Sequence, residues 1–475
     1  MAPRRLTMMT MTMMMVMMMD NICIRAQDIS RGSFPMGFVF GTASSAFQYE
    51  GAVKEDGRGP TIWDTFSHTF GKITDFSNAD VAVDQYHRYE EDVKLMKNMG
   101  MDAYRFSISW ARIFPNGVGQ INEAGINHYN KLINALLGKG IEPYVTLYHW
   151  DLPQALHDRY LGWLNPQIIN DFAAYAEICF QRFGDRVKHW ITFNEPHTFS
   201  IHDYAIGLQA PGRCSILFKL TCRSGNSSTE PYIVGHNVIL SHAIVSDIYR
   251  KKYKAMQEGS LGVAFDVMWF EPESNKTEDI EAAQRAQDFQ LGWFLDPLMF
   301  GDYPSSMRSR VGSRLPVFTG SQSALVKGSL DFVGINHYTT YYARNNATNL
   351  MGTLLNGAFS DSGTVTQPFK GLTPIGDRVG KWDSNALLDD EKLHELPFEH
   401  SRQLGFSDMS RQFEEVIPRY AVSHKPLTTV VNEGDVLKLQ GDETADEESI
   451  FFYFGLDMNG CFDGGDETLG RRRCN

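Results

Sequence analysis

The segment Ile191-Thr-Phe-Asn-Glu-Pro196 holds the residues most suited to chemistry. A short apolar run ends in an amide and a carboxyl, and Pro196 then breaks it. Proline lacks a backbone donor and drives the preceding residue out of right-handed helical geometry. A carboxyl held at the end of a buried strand, among aromatic side chains, has its pKa raised and can serve as a general acid. The alternative role for Glu195 is that of a strand-end carboxylate paired with an arginine. Other polar and aromatic residues stand at similar places: Gln48, Arg105, His149, and the run Asn336-His337-Tyr338.

The elements that position them follow from the pattern of the chain. Short apolar runs at Phe38–Thr42, Ala103–Ser107, Pro143–Tyr148, His189–Phe193, Leu261–Val267 and Phe332–Ile335 alternate with amphipathic segments. In one such segment Ile126, Tyr129, Leu132, Ile133, Leu136 and Leu137 recur at helical spacing, and Gly138 and Gly140 are expected to end it. A second runs through Ile168, Ile169, Phe172, Tyr175, Ile178 and Cys179, and a third from Tyr232 to Tyr253. Strand–helix alternation predicts an α/β fold with a parallel sheet and helical crossovers. No GxGxxG follows the first strand, which argues against a dinucleotide site. Polar residues at the strand ends fit a (β/α)8 TIM barrel, whose active sites lie there. Six of the eight β/α units are visible.

Five segments then carry a resemblance. They are Phe38-Val-Phe-Gly-Thr-Ala-Ser-Ser-Ala-Phe-Gln-Tyr-Glu-Gly51, Tyr104-Arg-Phe-Ser-Ile-Ser-Trp110, Thr146-Leu-Tyr-His-Trp-Asp-Leu-Pro153, Thr192-Phe-Asn-Glu-Pro196 and Asp331-Phe-Val-Gly-Ile-Asn-His-Tyr338. In this order they resemble the family 1 glycoside hydrolases, the plant β-glucosidases in particular, over about residues 34–378. The resemblance implies the TIM barrel and hydrolysis of terminal β-D-glucosyl residues from O-glycosides with retention. In that chemistry one carboxylic acid protonates the leaving oxygen and a second carboxylate attacks the anomeric carbon. It implies Glu195 as acid/base and Asn194 as partner of the sugar 2-hydroxyl. Gln48 and His149 would hold the 3- and 4-hydroxyls, and Trp150 would shape the subsite. Arg105 and Tyr338 would orient the nucleophile. A glutamate at position 195 points to O-glycosides, because thioglucosidases of the family have glutamine there. The chemistry calls for no cofactor and no metal. The implied partner is a small-molecule β-glycoside.

The family pattern stops after Thr373-Pro-Ile-Gly-Asp-Arg378. The family continues with a seventh strand ending in Ile-Thr-Glu-Asn-Gly, which carries the nucleophile; that motif is missing. The stretch Lys425-Pro-Leu-Thr-Thr-Val-Val-Asn-Glu-Gly434 is β-rich but has Asn and Glu exchanged, so Glu433 is a weak candidate for the role. Residues 379–475 hold 20 acidic and 10 basic residues, which accounts for -10 of the net charge of -13. The sequence therefore divides into a leader at 1–26, an incomplete barrel at 27–378 and a divergent acidic segment at 379–475. A change of reading frame, a retained intron or a swapped exon would produce such a shift. The expected activity is accordingly impaired or lost, the alternative being a pseudoenzyme that only binds sugar.

Arg4 and Arg5 precede an apolar run from Leu6 to Met19, with the small residue Ala26 after it, as in a secretory signal peptide. Cys214 and Cys222 flank a loop-like segment and are expected to pair, as the resemblance also implies. Asn226, Asn275 and Asn346 begin glycosylation triplets. Cys179 reads as a buried thiol, and Cys461 and Cys474 are left unassigned. These features place the protein in the secretory pathway, bound for the apoplast or the vacuole. An acidic chain without a long Lys/Arg run argues against nucleic acid, and no central apolar stretch is long enough for a membrane span once the leader is removed. Oligomeric state, aglycone and sugar preference are not legible in this sequence.

Overall fold

The computed structural model describes residues 30–34, 36–215, 222–346 and 357–375, together with the backbone strand at 428–432. The leader, most of the acidic segment, and Glu433, Cys461 and Cys474 lie outside the described residues.

Six parallel strands follow one another in chain order: β1 (Gly41–Ala43), β2 (Ala103–Ser107), β3 (Glu142–Tyr148), β4 (His189–Asn194), β5 (Ser260–Pro272) and β6 (Phe332–Asn345). β7 (Thr364–Gln367) pairs antiparallel with β6, and β8 (Phe369–Lys370) and β9 (Thr373–Pro374) form a small hairpin of their own. The last strand, β10 (Thr428–Asn432), lies parallel to β6, with Thr428 opposite Phe332 and Asn432 opposite Asn336. The β-rich run of the acidic segment thus supplies a seventh parallel strand to the sheet. Among the described residues no ladder joins β10 to β1, so the curled sheet is open on that side.

Helices Gln85–Asn98, Glu123–Gly138, Gln167–Phe183 and Glu230–Lys252 make the crossovers from β1 to β5, and a run of helices from Thr277–Gln287 to Gly320–Val326 makes the one from β5 to β6. The expected apolar stripes are the buried ones: Ile126, Tyr129, Leu132, Ile133 and Leu136 in one helix, Ile168, Phe172, Tyr175 and Cys179 in another. Gly138 closes its helix as the last residue and Gly140 turns the chain with a φ of 67°. Covered on both faces, β2 is buried along its whole length, as parallel strands are when helices pack outside and side chains fill the inside. Outside, Trp110, Trp163, Trp190 and Trp293 are fully buried in one large apolar core. Inside, Ala103, Tyr144, Ile191, Ala264 and Phe332 form a separate apolar layer, one residue from each of β2 to β6.

Three strand limits differ from the sequence expectation. β1 is shorter and begins later than Phe38; before it, Phe34, Phe38 and Phe40 pack together in tilted and edge-on contacts (ring centroids 4.5–4.8 Å apart). β5 and β6 run on past the barrel to Pro272 and Asn345 as a paired ribbon. There Phe270 and Ala343 pack on Ala283 and Ala286 of helix Thr277–Gln287, giving the ribbon an apolar underside.

Candidate active site

A bulge in β4 sets the direction of its last residues. Ile191 pairs with Gly262 and Asn194 with Ala264, so three steps on β4 match two on β5. A bulge absorbs one extra residue and re-aims the side chains beyond it. Ile191 and Asn194 accordingly both face inward. Between them, Thr192 meets His242 of the outer helix Glu230–Lys252, and Phe193 packs against Phe172 and Trp163. A second bulge lies in β6, where His337 to Thr340 span the partners Val267 to Trp269, and it carries Tyr338.

The strand ends are sharp. Glu195 has a φ of 50° and a ψ of 62° and caps the short helix Pro196–Ile201. Its N–H donates to the Ala264 carbonyl at 2.7 Å. A left-handed residue without glycine costs on the order of 1–3 kcal/mol and persists only where its surroundings hold it. Trp150, after β3, is left-handed too (φ 72°), and its indole Nε1 donates to the Asn194 carbonyl at 2.8 Å.

These corners bring most of the sequence-predicted residues into one hydrogen-bonded group. Asn194 Oδ1 accepts from Arg105 Nη1 at 3.0 Å and from Asn336 Nδ2 at 3.1 Å, while its own Nδ2 donates to His149 Nε2 at 3.2 Å. Asn336 Nδ2 also donates to Glu195 Oε1 at 2.6 Å, and the Tyr338 hydroxyl donates to the same oxygen at 2.7 Å. Arg105, His149, Asn194, Glu195 and Asn336 are all buried, and Tyr338 is open.

Burial pushes the Glu195 carboxyl above the usual range, and the nearby Asp266 carboxylate adds to the rise. The hydrogen bonds from Asn336 and Tyr338 and the charge of Arg105 oppose it without cancelling it. The group is therefore suited to hold a proton and give it up to a leaving oxygen. Burial, with help from Arg105, drives the His149 pKa well down, so neutral His149 accepts the Asn194 amide hydrogen.

Gln48 is exposed and bonds Ser45 through its Oε1, outside the group around Glu195. Arg105 and Tyr338, expected to orient a nucleophile, donate to Asn194 and Glu195. A buried carboxylate and amide draw the nearest donors, because an unpaired buried polar group is costly. Cys214 and Cys222 form a disulfide and Cys179 is a buried free thiol. Asn226 and Asn275 are exposed and Asn346 is half-buried.

Asn336, Asp266 and His197 also belong to the site, and the sequence reading gave them no role. Asn336 was visible as a strand-end amide. Asp266 carried a signal of its own, an acid inside the apolar run Leu261–Val267.

A family model described as "Glycosyl hydrolase family 1" matches residues 30–362. The chain belongs to glycosyl hydrolase family 1. Beta-glucosidase 40 of Arabidopsis thaliana is 90% identical over 361 residues, which is 76% of this chain and 71% of that protein. Beta-glucosidase 6 of Oryza sativa subsp. japonica is 72% identical over 360 residues, 75% of this chain and 69% of that one. The crystal structure of rice Os3BGlu6 β-glucosidase superposes with a TM-score of 0.76 at 66% identity, covering 85% of this chain and 80% of that chain. The chain is thus a family 1 member of the β-glucosidase type, and its open curled sheet corresponds to part of the family's barrel.

Proposed function

We propose that this protein carries the acid half of a retaining β-glucosidase site, with Glu195 as proton donor. The reading rests on one observation: a buried carboxyl, held at a strand end by Asn336 and Tyr338, whose surroundings favour its protonated form. In the reaction the Glu195 proton passes to the glycosidic oxygen as the bond from that oxygen to the anomeric carbon breaks. Asn194, fixed by Arg105, Asn336 and His149, is placed to hydrogen-bond the sugar. A terminal β-D-glucoside with an oxygen-linked aglycone is the substrate class. Support comes from the relatives named β-glucosidase, and from a rice Os3BGlu6 variant captured in a covalent complex with glucose.

The covalent step needs a second carboxylate opposite Glu195. The family's Ile-Thr-Glu-Asn-Gly is absent from this sequence. We infer that turnover is impaired or lost. A sugar-binding protein without catalysis is the second reading, favoured by the intact hydrogen-bonded group around Asn194 and His149. Incubation with a 2-deoxy-2-fluoro-glucoside bearing a good leaving group, followed by intact-mass measurement, separates the readings. No adduct on folded protein is expected. A stoichiometric adduct would show that a nucleophile survives, and peptide mapping would say whether it is Glu433. Stabilisation by glucose without turnover would favour the sugar-binding reading.

The setting we propose is the secretory pathway, with glycans on the exposed Asn226 and Asn275. The Cys214–Cys222 disulfide supports it, since disulfides persist in oxidising compartments. A mass loss on glycosidase treatment of the plant-expressed protein tests the glycans.

A further inference from the structure

Asp266 lies in β5 directly opposite Asn336, the residue whose amide holds Glu195 Oε1. Its side chain is buried. Oδ2 meets His197 Nδ1 at 2.9 Å and Gln290 Nε2 at 3.4 Å, and Oδ1 has no hydrogen-bond partner. His197 stands two residues after Glu195, in the first turn of the helix that Glu195 caps. Asp266 therefore ties the corner bearing Glu195 to the neighbouring strand. A buried carboxylate with one idle oxygen is costly, and packing alone gives no reason for it.

We propose that Asp266 is a positioning residue for Glu195: together with His197 it clamps the left-handed corner that carries the carboxyl. As a carboxylate near Glu195 it also disfavours a second negative charge there. The inference rests on Glu195 acting as the acid. Asp266 reaches the reaction only through Glu195. The remaining groups facing Glu195 act against its protonated form: Arg105 by charge, Tyr338 and Asn336 by hydrogen bonds. His149 meets the neighbouring Asn194 and is neutral. On the far side of Asp266 stand His197 and, beyond it, His202. Asp266 thus acts in the same direction as burial.

The two parts of the role can be separated. D266N keeps the shape and an acceptor for His197 but removes the charge, whereas H197A keeps the charge and removes the clamp. In full-length protein labelled with 13C at glutamate carboxyls, the Glu195 signal is assigned by its loss in E195Q and followed through pH. D266N is expected to lower the Glu195 titration midpoint by about one pH unit or more. H197A is expected to speed hydrogen exchange of the Glu195 amide, which donates to Ala264, by about tenfold, equivalent to about 1.4 kcal/mol of lost protection. An unchanged or raised midpoint in D266N overturns the charge role, and unchanged exchange in H197A overturns the clamp. If D266N does not fold, D266S is titrated instead, with the same expected direction. Titration needs no turnover. A lowered midpoint with no fluoro-sugar adduct would therefore leave the positioning role standing while the hydrolase is shown to be inactive.

Discussion

The Tyr338 hydroxyl donates to Glu195 Oε1 at 2.7 Å, although Tyr338 is 57% exposed and Glu195 only 5%. A solvent-open phenol thus reaches into a buried carboxyl from the rim of the site. The bond favours the ionised carboxylate, whereas burial and Asp266 favour the acid, and the net direction is upward. Burial wins because a charge taken out of water loses more than one neutral hydrogen bond returns.

Y338F should therefore raise the Glu195 titration midpoint further, since it removes one donor to the charged form. The fold should lose no more than about 1.5 kcal/mol, the upper range for a single hydrogen bond. Carboxyl titration checks the first point and urea denaturation the second. A fall in the midpoint would mean that the phenol stabilises the neutral acid.

The raised Glu195 pKa also sets a sign for stability. The folded carboxyl holds its proton to higher pH than the unfolded one. Its contribution is complete below the unfolded value near 4.5 and is lost as pH rises through the folded value. E195Q keeps an acceptor for Asn336 and Tyr338 and does not ionise. It should melt above wild type at pH 7.5 and show no such advantage at pH 4. If the wild-type protein proves active, E195Q should slow hydrolysis of glucosides with poor leaving groups by about 10²–10⁴-fold. Melting scans at both pH values decide the first expectation.

Reduction of the Cys214–Cys222 bond, which closes a sequence separation of 8 residues, should cost about 2.5 kcal/mol by loop-closure entropy. Comparing denaturation of the native protein with that of C214A/C222A measures it.

Much of the fold was legible because parallel strands and amphipathic crossovers write their period into the sequence. The runs at Ala103–Ser107 and His189–Phe193 lie within a residue of the observed strands. What the sequence hid was irregularity. The period of two predicts that Phe193 faces inward with Ile191, yet the β4 bulge turns Phe193 out and Asn194 in. Nothing in His189-Trp-Ile-Thr-Phe-Asn194 marks that extra residue. Likewise Tyr338 was found by motif, but its partner was not, because which carboxyl a phenol meets depends on the second bulge. Asp266 stands out as an acid inside an apolar run, but the run does not say what that acid faces. Gln48 shows the opposite case: a motif position whose side chain lies outside the hydrogen-bonded group.

That Gln48 turn is nevertheless firmly built, and it supports one more prediction. Gln48 lies in the short helical turn Ala46–Glu50, whose last residue is buried against Arg112. Arg112 Nε meets Glu50 Oε2 at 2.6 Å, the Tyr129 hydroxyl donates to Glu50 Oε1 at 2.6 Å, and Arg112 Nη2 donates to the Gly51 carbonyl at 2.8 Å. Gly51 itself has a φ of 65°, and a Cβ there would lie 2.0 Å from the Val81 carbonyl oxygen, so only glycine fits at this turn. Burial pushes the Glu50 carboxyl up, but Arg112, His128 and the Tyr129 hydrogen bond outweigh it and hold its pKa below the usual range. Its contribution to stability is present above the unfolded value and is lost as pH falls through the folded one. R112M leaves this carboxylate buried without its cation and should cost about 3–5 kcal/mol at pH 7. The further change E50Q should recover part of that loss, because it removes the stranded charge. Chemical denaturation of wild type, R112M and E50Q/R112M at pH 7 gives the comparison. A double variant no more stable than R112M would mean that the cost lies in lost packing of Arg112 on the Tyr86 ring, 4.1 Å away, and not in the unpaired carboxylate.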